Sequence, residues 1–351
     1  MFRCAAHTLL SPYFHFDNSP APHPMQLATV LTPMSDENLQ LAAQCGVTDV
    51  VYRYPGSDAR VLQLAQERIA SFGMRLAVVE GYLPIENIKL GCDDGSEISA
   101  MKLLIRQMAD LGIRLLCYNF MAGTDWCRTR LDAPERGGAK VTAFDLAEVE
   151  HAVRLGYRPP NAEFDALARK LTPEKLWGQL ERMLNELLPV AEQSGLILAM
   201  HPDDPPLPEL LGKPRIMHNV AGFDRLLSLA PSASNAMCFC QGTFATMNVD
   251  IPATIRRFGS HIQYVHFRDV RGNAQSFAET FHDNGPTDMV AAMRAFRDIG
   301  FNGPMRPDHV PQMVGEDDGE PGYTMLGRLF AYGYMRGLLQ ATESYTSRSQ
   351  I

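Results

Sequence analysis

From Met25 onward, eight short apolar or β-branched runs alternate with amphipathic stretches, and this rhythm restricts the fold more than any other feature of the chain. The runs occupy 26–31 (QLATVL), 48–53 (TDVVYR), 74–81 (MRLAVVEG), 113–120 (IRLLCYNF), 196–202 (LILAMHP), 235–240 (NAMCFC), 262–269 (IQYVHFRD) and 303–309 (GPMRPDH). Strand and helix signals in alternation read as βα units, not as a separate sheet and bundle. A doubly wound open sheet would also alternate. It does not normally need eight comparable units, however, and no Gly-x-Gly-x-x-Gly follows an early strand. The expected fold is α/β, a single (β/α)8 barrel, and 351 residues with 46% hydrophobic content suit one such domain with insertions.

Local signals set the boundaries. The first three helices are expected to close at Cys45-Gly46, Phe72-Gly73 and Leu111-Gly112, because Gly is favoured just past a helix C-terminus. Thr172 and Pro173 open a later helix as its cap and first turn. Between them lies a polar insertion, about 121–170, expected to be a lid or a subunit contact. The last helix is placed at about 323–342, and the barrel at 25–345. Residues 1–24, rich in Pro and His and without a period, read as a poorly ordered extension or the product of an upstream start codon.

Charge and cysteine content exclude several classes. With 32 Lys and Arg against 40 Asp and Glu, the chain carries a net charge of -8 and lacks the basic stripe that nucleic acid requires. No run is long and apolar enough for a membrane span, and the N-terminus lacks a secretory pattern, so a cytoplasmic protein is expected. Seven scattered cysteines argue against a disulfide framework.

Active sites of such barrels form at the C-terminal ends of the strands. Here the last four strands end in or run through His201, Cys240, His266 and Asp308-His309. A lone His or Cys there is more often a core residue. Four on adjacent strands converge on one point, and imidazole, thiolate and carboxylate together suit a borderline divalent ion better than magnesium or calcium. The separations of 39, 26 and 42 positions differ from the close-set pairs of structural zinc sites. Cys238, two residues before Cys240, faces the same side one layer below. Arg268 and Arg306 flank these strands, ready to grip a substrate carboxylate or to serve as rim ion pairs. Asp203 and Asp204, between prolines, read as a rigid support for His201. His282, in the loop after strand seven, is placed to reach substrate hydroxyls or to cap the next helix.

Several stretches carry a family resemblance. His201-Pro-Asp-Asp-Pro-Pro206, Asn235–Gly242 with Cys240, Tyr264-Val-His-Phe-Arg268, His282-Asp-Asn-Gly285 with Asp288-Met289, Met305-Arg-Pro-Asp-His309 and Pro321-Gly-Tyr323 occur in this order, preceded by Val79-Glu80 through Ile88-Lys89 and Cys117-Tyr-Asn-Phe-Met121 with Asp125-Trp126. Over about residues 75–340 the chain resembles the mannonate dehydratase family. The resemblance implies a xylose-isomerase-like barrel that dehydrates D-mannonate to 2-keto-3-deoxy-D-gluconate. It also implies Mn2+ or Fe2+ held by His201, Cys240, His266 and Asp308, with His309 and Tyr323 as general acid and base, and it brings Asn119 into the substrate site. His309 follows Asp308, so a regular strand would turn the two apart. At a strand end the chain is turning, and His309 can still face the substrate.

The first two strands depart from the family pattern, reading Leu27-Ala-Thr-Val-Leu-Thr-Pro33 and Val51-Tyr-Arg-Tyr-Pro-Gly56. The substrate half is therefore less constrained than the metal half. A related sugar-acid dehydratase, a sugar isomerase or epimerase, and a non-catalytic metal-binding barrel stay open as alternatives, as does assembly into a homo-oligomer. Retention of His309 and Tyr323 beside all four candidate ligands puts dehydration first.

Overall fold

The computed structural model of this protein describes residues 25–156 and 162–343. The expected extension at 1–24 lies outside the described residues.

Eight parallel strands close on themselves: β1 (Gln26–Val30), β2 (Asp49–Tyr52), β3 (Arg75–Glu80), β4 (Leu115–Tyr118), β5 (Ile197–Met200), β6 (Asn235–Cys240), β7 (Ile262–Phe267) and β8 (Pro304–Pro307). They neighbour one another in chain order, and β8 returns to β1 with Leu27 level with Met305. All eight match the expected runs.

Side chains that point outward from the strands pack under the helices. Leu27, Val50, Leu76, Leu116, Leu198, Met237, Val265 and Met305 join the apolar faces of the helices in one continuous core. Side chains that point inward, among them Ala28, Val30, Val51, Val78, Leu115, Cys117, Ala199, Cys238 and Tyr264, fill the barrel itself. This two-residue alternation is the pleat of each strand.

Helix starts follow their caps. The Thr172 hydroxyl accepts from the Lys175 N–H at 3.3 Å and Pro173 occupies the first turn of Pro173–Ser194. Gly46 and Gly73 sit just past their helices at φ of 77° and 75°, a region open to Gly at little steric cost. The last helix runs Met325–Ala341, two residues later than expected at its start, because the Pro-Gly-Tyr turn holds Tyr323 outside it.

The insertion after β4 is built, not loose. Its strands Arg130–Pro134 and Lys140–Asp145 join a hairpin that follows β7, Val270–Asn273 and Ser276–Glu279, in a four-stranded antiparallel sheet. Phe277 faces Phe144 across the join, with ring centroids 6.0 Å apart. Two excursions from opposite sides of the barrel thus meet beside its C-terminal mouth. Among the described residues no helix is long and apolar enough to cross a membrane.

Candidate active site

Register brings the expected donors together. Cys240 at the end of β6 is level with His266 on β7, and His266 is level with Arg306 on β8. β5 and β8 stop at Met200 and Pro307, so His201, Asp308 and His309 occupy the turns just beyond. The His201 N–H still extends the ladder, donating to Tyr118 O at 2.7 Å. Because β8 has ended, Asp308 and His309 both reach the mouth, although a continuing strand would have parted them.

Four donors of mixed type converge there. His201 Nε2 lies 3.2 Å from His266 Nδ1. Asp308 Oδ1 is 3.7 Å from that nitrogen, and Asp308 Oδ2 is 3.6 Å from Cys240 Sγ. His201, Cys240 and His266 each offer an atom within 4.8 Å of the others. Bonds of about 2.0 to 2.3 Å to one tetrahedral ion place ligand atoms about 3.3 to 3.8 Å apart. The spacing and the nitrogen, sulfur and oxygen set therefore fit a borderline divalent cation.

A layer of buried charge holds this group. Arg268 donates from Nε to Asp308 (2.6 Å), from Nη1 to Glu279 (2.8 Å) and from Nη2 to Asp204 (2.9 Å), and it also approaches Cys240 Sγ at 3.6 Å. Arg128, from the insertion, clasps Asp204 through both terminal nitrogens at 2.7 and 3.0 Å and Glu279 at 2.6 Å. Arg306 donates to Asp308 at 2.8 Å and to Glu80 at 2.8 Å, while Tyr264 donates to Glu80 at 2.8 Å. Burial pushes the carboxyls of Glu80, Asp204, Glu279 and Asp308 up, but the neighbouring positive charges outweigh it and hold all four below their ordinary range. They are therefore carboxylates, and each charge is matched within hydrogen-bond reach.

Above this layer opens a cavity of about 780 Å³, counted out to the solvent at its mouth. His201, His266, Asp308 and Arg306 line its floor, and His309 and Tyr323 line one wall. Arg53, Glu86, Lys89 and Asn119 line another. Lys89 donates to Glu86 at 2.5 Å and to Asn119 at 3.1 Å, so this wall offers polar groups suited to hydroxyls. The His309 ring is held from three sides: Nδ1 lies 2.9 Å from Glu279 Oε1, Trp126 stacks on it at 4.2 Å, and Tyr323 meets it edge-on at 5.5 Å. A carboxylate at Nδ1 makes that nitrogen the donor and leaves Nε2 as the free lone pair. Burial pushes the Tyr323 phenol up, and the opposing effect of Arg53 does not cancel it, so the hydroxyl keeps its proton at neutral pH.

The sequence profile of the D-mannonate dehydratase (UxuA) family matches residues 34–349. The chain belongs to this family. Its relatives include the mannonate dehydratase of Oceanobacillus iheyensis, 32% identical over 318 residues that cover 85% of this chain and 90% of the relative. That of Thermotoga maritima is 33% identical over 310 residues, covering 81% and 86%. The crystal structure of mannonate dehydratase from Streptococcus suis serotype 2 superposes with a TM-score of 0.82 at 28% identity, over 91% of this chain and 93% of that one. An L-ribulose 3-epimerase, at 13% identity and a TM-score of 0.56 over 93% and 98%, shares the barrel fold.

Within this mannonate dehydratase-family chain, most of the residues singled out from sequence meet at one cavity. His201, His266, Asp308, His309, Tyr323, Arg306 and Asn119 line it, and Cys240 lies directly behind Asp308. Arg268 and His282 do not line it. All three Arg268 nitrogens are directed at protein partners, so it supports the carboxylates from behind and is not available to grip a substrate. His282 is fully buried off the cavity, where burial pushes its imidazole down to about 4.

That shift makes His282 a source of acid sensitivity. The unfolded chain takes up a proton below 6.5, whereas the folded one resists until about 4, so stability intact above 6.5 is lost as pH falls across that interval. The cost approaches about 3 kcal/mol. His282→Gln is expected to flatten this loss, read from urea unfolding at the two ends of the window. An unchanged pH slope would contradict the assignment.

Sequence reading did not single out Arg128 or Glu279, and it included Glu80 and Arg53 only within longer stretches, without a role of their own. Glu80 ends β3 and the same strand-end rule would have found it. Arg53 follows β2, inside the segment that departs from the family pattern. Arg128 and Glu279 stand on the insertion and the hairpin, where no local pattern marks them.

Proposed function

We propose that this chain is a metal-dependent hydro-lyase that converts D-mannonate to 2-keto-3-deoxy-D-gluconate and water in the cytoplasm. The observation that carries the reading is the His309–Glu279 pair beside Tyr323 on one wall of the cavity, next to a cluster of His201, Cys240, His266 and Asp308, in a chain of this family.

Those four side chains would hold Mn2+ or Fe2+. When bound, such an ion stabilises negative charge developing on the substrate carboxylate. The residues supply the rest. His309 Nε2, freed by the hydrogen bond of Nδ1–H to Glu279, takes the proton from the carbon beside the carboxylate. The C–O bond at the next carbon breaks, and the leaving hydroxide takes the Tyr323 phenol proton and departs as water. The resulting enol then becomes the 2-keto acid as the carbon that lost its hydroxyl takes a proton and the enol hydroxyl gives one up. Arg306 adds positive charge at the cavity floor, while Lys89, Glu86 and Asn119 receive the distal hydroxyls. The insertion serves as a lid, with Trp126 closing over His309 and excluding water from the proton transfers.

The test is to strip the protein with chelator and reload it separately with manganese, ferrous iron, zinc or magnesium. Formation of 2-keto-3-deoxy acid is then followed from a panel of aldonic acids. D-mannonate is expected to turn over with manganese or ferrous iron, while magnesium, which prefers oxygen donors, restores little. Turnover of another acid with D-mannonate inert would overturn the substrate assignment. Equal activity after stripping would overturn the metal requirement.

A further inference from the structure

A second group of potential metal-binding side chains lies inside the barrel, two of them with no task in the reading above. Cys117 on β4, Cys238 on β6 and His266 on β7 each offer a ligand atom, and the three atoms lie within 4.8 Å of one another, all buried. Cys238 stands two residues before Cys240 and faces inward with it, so this group sits one layer beneath the cavity floor.

The two groups share His266. Its Nδ1 faces the upper one, 3.2 Å from His201 Nε2. Its Nε2 is buried and has no hydrogen-bond partner among the described residues; the Glu80 carboxylate is 3.5 Å away. A neutral imidazole has one lone pair, so with Nδ1 turned to the upper group Nε2 carries the proton beside Glu80, and it can hold an ion among the two thiols once that proton is displaced.

A disulfide does not answer this geometry. β5 separates β4 from β6 in the barrel. At about 4.8 Å per strand the two Cys Cα atoms stand roughly 9 Å apart, beyond the approximately 7 Å that a disulfide spans. A bridging ion suits the distance better, because two bonds of about 2.3 Å set a tetrahedral S···S separation near 3.8 Å.

We propose that Cys117, Cys238 and His266 Nε2 form a second, thiolate-rich cation site under the cavity, selective for soft divalent ions of the zinc and cadmium class. The upper group offers one sulfur and the lower one two, so softer ions favour the lower. With both groups filled, His266 bridges them as an imidazolate, its remaining proton released to solvent as the second ion binds, and this ties the occupancy of the two sites together.

Cadmium titrated in excess into the purified full chain tests this. Bound metal and the thiolate-to-cadmium ultraviolet absorption are the readouts, and neither depends on turnover. Wild type is expected to bind two cadmium ions per chain. Cys240→Ala, which disables the upper group, should keep one ion with the absorption of two thiolates. Cys238→Ala or Cys238→Ser, checked for fold by circular dichroism, should keep one ion with the absorption of a single thiolate. One ion per chain in wild type, lost altogether in Cys240→Ala, would overturn the proposal, as would wild-type stoichiometry in both Cys238 variants.

Discussion

His309→Asn is expected to lower kcat by about a thousandfold while KM changes little, because a positioned general base contributes on the order of 10² to 10⁴ in rate. Asn keeps a polar side chain between Trp126 and Tyr323 but has no basic lone pair to take the carbon-bound proton. Glu279→Gln should cost about a hundredfold, since an amide no longer enforces the Nδ1–H tautomer that leaves Nε2 free. Glu279 also neutralises Arg128 and Arg268, at 2.6 and 2.8 Å. Its replacement therefore lowers stability as well, and the rate is read well below the unfolding temperature. Deuterium exchange into substrate from heavy water separates base from acid. His309→Asn should lose exchange beside the carboxylate. Tyr323→Phe should retain it without releasing product. Exchange that survives in His309→Asn and vanishes in Tyr323→Phe would reverse the two roles.

How far the site was legible depends on where each residue gets its position. His201, Cys240, His266 and Asp308 are placed by barrel strands, whose period and order are local properties of the chain, so the strand-end rule reached them directly. Their support is different in kind. Arg128 and Glu279 lie 151 positions apart, on excursions that meet only because the insertion sheet pairs with the hairpin after β7. No periodicity encodes that pairing, and the insertion accordingly yielded no motif. The two arginines show the same limit more finely. Both flank the strands that carry the candidate ligands, yet Arg306 is level with His266 within β8 and reaches the cavity, whereas Arg268 follows the end of β7 and turns behind Asp308. Side-chain direction within a strand follows from the pleat; beyond its end it depends on what packs there, here the carboxylates of Asp204 and Glu279.

Asp308→Asn is expected to empty the upper metal group and destabilise the fold, and Cys240→Ala to do mainly the first. Asp308 is 3% exposed and bonded to Arg268 and Arg306 at 2.6 and 2.8 Å, so its charge is matched by the two guanidiniums and, in the proposed reading, would also serve the cation. An amide weakens both bonds and strands buried positive charge; breaking a buried pair by removing one partner typically costs about 3 to 5 kcal/mol. Cys240 gives up one ligand and a small apolar volume, with its weak contacts at 3.6 Å. Losing that volume should cost only about 1 kcal/mol. Bound manganese after dialysis, measured beside urea unfolding with and without chelator, distinguishes the two effects. In chelator the Asp308→Asn deficit should persist, because it belongs to the guanidiniums. The Cys240→Ala deficit should nearly vanish, because it belongs to the metal. If both deficits disappear with chelator, Asp308 acts as a ligand alone and the charge network under the cavity is not what holds it in place.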